Sequence, residues 1–178
     1  MFKKKLPTKL WMIFKFLNKN FYIGFFVVIL IYFLDRLSKI YVIQLDKNNF
    51  GSDIFSSSYL NIVLIWNKGI AFGLLSFSES YLYNIVSLII GIIIIVLVIM
   101  SLKSRGFKRY SLLTIVGGAL GNLHDRFFFN AVPDFIDFHI GNFHWFIFNV
   151  ADIFISVGVV SMIIYEIINN NKKKHEQL

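Results

Sequence analysis

The chain has 178 residues, of which 57% are hydrophobic and only 16% charged, and its mean hydropathy is +0.68. A soluble domain does not carry so few charges beside runs such as SLIIGIIIIVLVIM, so the composition defines an integral membrane protein of one-domain length. Thirteen of the 18 basic residues lie at the chain ends and in Lys103–Arg109, which argues against a nucleic-acid-binding stripe, and the absence of cysteine excludes disulfides, thiolate metal sites and a cysteine nucleophile.

Residues 1–20 mix lysines with Leu10, Trp11, Ile13, Phe14 and Phe16, the composition of either a short interfacial helix or a basic tail. A membrane span needs roughly 20 mainly apolar residues. The first candidate, about Phe21–Val42, ends in the charged turn DRLSK, not at a small-residue cleavage site, so it reads as an uncleaved span. Within it, Asp35 and Lys39 are one helical turn apart and are expected to form an ion pair. The segment 43–80 carries a β-rich apolar run from Tyr59 to Trp66, closed by the turn residues Asn67, Lys68 and Gly69. It predicts a small strand pair, followed by a short surface helix from about Ala71 to Phe77.

Three further spans are predicted at about Tyr83–Leu102, Tyr110–Phe129 and Trp145–Ile168, with a second connection at 130–144. Lysine and arginine cluster before Phe21, in Lys103–Arg109 and in Lys172–Lys174, and four spans place all three clusters on one side. By the positive-inside rule that side is cytoplasmic, so both termini are inside and the two long connections outside. The polar residues embedded in the spans then gather in one outer layer.

In the third span Asn122, Asp125 and Arg126 share a helix face, and Gly117 and Gly121 form a small-xxx-small pair that admits a close neighbour. A lone charge at that depth costs on the order of 2.5–3.5 kcal/mol, so these residues are expected to pair. Pro133 denies a helix through its position and puts Asp134 on an extended segment. Asn149 and Asp152, three apart in the fourth span, face the same way. Two carboxylates held close share one proton and can serve as acid and base together, which makes Asp134 and Asp152 a candidate catalytic dyad. A proton or ion relay through Asp125, Asp134, Asp137 and Asp152 and a non-catalytic assembly subunit are the rival readings; no acidic residue in the second span continues such a relay. HExxH, GxSxG and GxGD are absent, His124, His139 and His144 lack ligand spacing on one helix, and no metal is expected. Asp137 receives no role.

Five blocks occur in order along nearly the whole chain: DRLSK (Asp35–Lys39), NKGIAFGLLS (Asn67–Ser76), GGALGNLHDR (Gly117–Arg126), VPDFIDF (Val132–Phe138) and FNVAD (Phe148–Asp152). In these the chain resembles the lipoprotein signal peptidases, the bacterial signal peptidase II family. The resemblance implies an α-helical polytopic membrane protein: four transmembrane helices, an extracytoplasmic β-cradle and a surface helix, embedded in the inner membrane. It implies a cofactor-free aspartic endopeptidase that cleaves diacylglyceryl-modified prolipoproteins just before the lipidated cysteine and is inhibited by globomycin-type cyclic peptides. By motif position, Asp134 and Asp152 are the implied catalytic pair. Asn67, Gly69, Asn122, Arg126 and Asn149 are implied substrate contacts and polar lining, and Asp35, Lys39 and Asp125 structural polar residues. Pro133 and Ile153 depart from the family pattern, the first replacing an aliphatic residue, the second a small one.

Overall fold

The computed structural model describes residues 19–49, 53–69 and 80–175. Within these, four helices accompany a small antiparallel sheet: α1 (Lys19–Asn48), β1 (Phe55–Ser56), β2 (Leu60–Asn67), α2 (Ser80–Lys103), α3 (Gly106–Phe129), β3 (Val132–Ile140), β4 (Phe143–Phe148) and α4 (Val150–His175). Three of the helices, α1, α2 and α4, are long and apolar enough to cross a membrane. The expected surface helix at Ala71–Phe77, and the tail before Lys19, lie outside the described residues.

Helix α3 is the hub, packed against α1, α2 and α4. Its glycines explain how two of these neighbours, α1 and α4, approach so closely. A Cβ on Gly117 would meet Ile31 of α1 at 2.9 Å, and one on Gly121 would strike the Asp35 carboxylate. One on Gly118 would come within 2.5 Å of the Ala151 carbonyl oxygen of α4. The small-xxx-small pair therefore faces α1, as its spacing suggests, while Gly118 opens the opposite contact. Elsewhere the helices turn large apolar residues outward, among them Phe25, Phe26, Leu88, Ile95 and Val160. In water that surface would be untenable; in a bilayer it is solvated.

The sheet runs β1-β2-β3-β4, antiparallel throughout. The strand pair expected around Tyr59–Trp66 is present as β1–β2. Helix α3 stops at Asn130, whose φ of 52° is the left-handed cap conformation that asparagine tolerates. Two residues later β3 begins, so Asp134 is on extended backbone, paired across from Ile65.

The last predicted span needs correction. Trp145–Phe148 is not helix but strand β4, and α4 begins only at Val150. An aromatic run such as FHWFIF scores as membrane filling by hydropathy, yet its residues suit a pleated strand equally well. The connection 130–144 is accordingly not a plain loop, since β3 and β4 form a hairpin closed by Gly141 and Asn142, with Gly141 at φ 58°.

Candidate active site

The connection between α3 and α4 brings Asp134 and Asp152 to the same place, on either side of Asn149. Asn149 is completely buried and immediately precedes α4. Its Oδ1 accepts the Asp152 N–H (3.2 Å), while the Asp152 carboxylate accepts the Asn149 N–H (3.1 Å). This reciprocal pair is a capping box, which uses two helix-terminal donors that burial would otherwise orphan. The Asn149 amide is still free to donate through Nδ2 to Asp134 Oδ1 at 2.6 Å. One asparagine thus holds both carboxylates. Asn149 was expected on the helix face beside Asp152; it is instead the cap.

Each carboxylate has a second amide. Asn67, at the end of β2, donates from Nδ2 to Asp134 Oδ2 at 2.8 Å. Its Oδ1 accepts the Gly69 N–H at 2.7 Å, an Asx-type turn that fixes which way the amide points. Asn122 donates from Nδ2 to Asp152 Oδ1 at 2.9 Å. Its Oδ1 accepts Lys39 Nζ at 2.8 Å. Because an ammonium group can only donate, Lys39 leaves Asn122 no choice but to present its NH2 to Asp152.

Lys39 is fully buried, and so are both carboxylates that neutralise it, Asp35 at 2.9 Å and Asp125 at 2.7 Å. Arg36 completes the cluster with an ion pair to Asp125 at 2.5 Å. The expected Asp35–Lys39 pair is present, but as part of a four-charge network inside the bundle. Asp35 also accepts the Ala151 N–H at 3.0 Å, so a side chain of α1 caps the start of α4. Arg126 points another way: Nη2 donates to the Gly69 carbonyl, and the guanidinium lies 5.0 Å from the centre of the Tyr83 ring.

Asp134 and Asp152 are nearly inaccessible, at 3% and 6% of full exposure. Burial first, and the charge of Asp152 second, push the Asp134 carboxyl up to about 6 from its ordinary 3.8, against the amides of Asn67 and Asn149 that favour the anion. Neutral amides orient the two acids without supplying a counter-charge. The charge of Asp152 thus disfavours ionisation of Asp134, which couples the protonation of one acid to that of the other.

Beside Asp152 opens a cleft of about 440 Å³, lined by Phe138, Trp145, Phe146, Phe148, Ile153, Ser156 and Val157. Ile153 forms part of its wall and is 41% exposed, so this residue shapes the cleft without covering the carboxylate completely. Pro133 is buried in β3 opposite Trp66.

Aromatic apolar walls and a buried pair of carboxylates beside long apolar helices define a multi-pass membrane protein. The model of the signal peptidase II family matches residues 27–168. A lipoprotein signal peptidase of Pelagibacter ubique is 47% identical over 89% of this chain and 96% of its own length. One from Anaplasma phagocytophilum is 42% identical over 82% and 92%. Two solved bacterial membrane enzymes superpose with TM-scores of 0.69 and 0.65, at 28% and 30% identity, over 84% and 80% of this chain and 90% of each of theirs. The chain belongs to the signal peptidase II family.

Proposed function

We propose that the protein is an aspartic endopeptidase that removes signal peptides from diacylglyceryl-modified prolipoproteins, cleaving just before the lipidated cysteine, with Asp134 and Asp152 as the catalytic pair. The observation that carries this reading is the shared hold of Asn149 on both carboxylates. In the singly protonated dyad, the ionised aspartate takes a proton from a water molecule as its oxygen attacks the scissile carbonyl. The protonated aspartate hydrogen-bonds the carbonyl oxygen and stabilises the tetrahedral intermediate. Collapse then breaks the C–N bond while the proton gained from water passes to the departing amine, leaving a carboxylic acid and a free amino terminus.

The remaining residues have supporting parts in this reading. Asn122 and Asn149 orient the dyad. Asn67, Gly69 and Arg126 build a polar wall, tied together by the Gly69 N–H and carbonyl, along which the substrate backbone lies. The apolar cleft beside Asp152 suits apolar substrate groups and the tails of membrane lipid, and the same surface would receive globomycin-type cyclic peptides. Helix α3 serves as the fourth span, which sets the dyad at the outer face of a bacterial inner membrane with both termini cytoplasmic.

The test is cleavage of a lipidated prolipoprotein by Asp134→Asn and Asp152→Asn variants that insert and fold as the wild type does. Both are expected to lose activity. Persistent cleavage by either one would remove that aspartate from the mechanism.

A further inference from the structure

The β3–β4 hairpin holds a second polar cluster that the peptidase reading leaves unused. Asp137 and His139 lie two apart on β3, on the same face, and both are buried. His144 pairs directly across from His139 on β4. The imidazole rings are 4.9 Å apart and nearly parallel, at 18°. His144 Nδ1 lies 2.9 Å from Asp137 Oδ2 and 3.1 Å from Oδ1. Each of the three residues offers one donor atom, and all of these atoms lie within 4.8 Å of one another.

His139 supplies the independent observation. It is 9% exposed, yet its Nδ1 has no hydrogen-bond partner among the described residues. A buried imidazole nitrogen without a partner is costly, and a metal ion satisfies it. Asn61 of β2 meanwhile donates from Nδ2 to Asp137 Oδ2 at 3.1 Å, the kind of outer contact that orients a ligating carboxylate.

We propose that Asp137, His139 and His144 form a divalent transition-metal site on the hairpin, with Zn2+ as the ion that fits its donors. Two imidazoles and a carboxylate are borderline ligands suited to Zn2+. Bonds of about 2.0–2.1 Å place tetrahedral donors about 3.3 Å apart, so donors now within 4.8 Å of one another draw together on the ion by side-chain rotation, for which the half-exposed His144 has room. Three protein ligands leave the fourth position to water. The ion clamps β3 to β4, and β3 carries Asp134 three residues before Asp137. The site therefore acts on the geometry of the cradle and takes no part in bond cleavage.

The experiment uses the full-length chain without any histidine tag, in detergent, stripped with a chelator and titrated with Zn2+ against a chromophoric indicator. One equivalent is expected to bind, and Co2+ in its place should give the visible d–d absorption of an N/O site. His144→Ala, at a partly exposed position that tolerates truncation, should weaken affinity by more than about 100-fold, beyond the usual 10–100-fold cost of losing an outer contact. Asn61→Ala should fall within that smaller range. Binding below half an equivalent, or unchanged affinity in both His144→Ala and His139→Ala, overturns the site. These readouts require no turnover, so their failure leaves the peptidase reading untouched, and the reverse holds too.

Discussion

At the scale of single residues, the site depends on amides whose orientation is dictated from behind. Gly69 turns Asn67, Lys39 turns Asn122, and the helix terminus turns Asn149, so that each presents its NH2 group to a carboxylate. Replacing any of the three by aspartate would preserve size and reverse the electrostatics. The elevated Asp134 carboxyl has a measurable consequence. Its value in the folded protein lies above the ordinary one, so its contribution to stability is complete below pH 3.8 and is lost as pH rises through about 6. The thermal stability of the wild type should therefore fall between pH 4 and pH 7 more steeply than that of Asp134→Asn, which has no proton to lose there. Parallel profiles for the two proteins would show that Asp134 titrates normally.

Among the elements, α3 sets the tolerances. Gly118 faces backbone, the Ala151 carbonyl, at a distance that no side chain can accommodate by changing rotamer. Gly118→Ala should push α4 away just where Asp152 begins its first turn. The expected cost is about 1–3 kcal/mol in unfolding measurements, with cleavage reduced by more than the loss of folded protein accounts for. A normal melting temperature with normal activity would contradict the close packing. The elements also show which parts of the structure were legible in the sequence. The helices, the extended Asp134 and the β1–β2 pair were readable because long apolar runs, Pro133 and a β-rich run bounded by serines and Asn-Lys-Gly are local signals. The β3–β4 hairpin was missed although its sign was present: Gly141-Asn142 between FHI and FHW is a two-residue hairpin turn. Hydropathy masked it, because a membrane reading counts Trp145–Phe148 without regard to pleat.

For the molecule as a whole, the buried charges are the feature that no local pattern reveals. Residues 35, 36, 39 and 125 were visible as polar interruptions, but only three-dimensional packing joins them into one cluster that reaches Ala151 and, through Asn122, Asp152. Lys39→Met should be severe, costing about 3–5 kcal/mol in thermal or denaturant unfolding, because two buried carboxylates then face Arg36 alone. Adding Asp125→Asn to that variant should recover part of the loss. No recovery in the double variant would mean that Lys39 acts through packing, not through charge. Equally hidden from the sequence is the convergence of Asp137, His139 and His144, whose spacing suits no helix and becomes compact only across a hairpin.

The hydrogen bond from Ala151 to Asp35 spans 116 positions of the chain. An acceptor on α1 thus waits for a donor that is made 116 residues later. Until α4 enters the membrane and docks, its amino-terminal turn lacks one of its caps, and Asp152 lacks the Asn122 amide on its Oδ1. The buried polar network is consequently closed by the docking of α4 and not by the insertion of α1 alone.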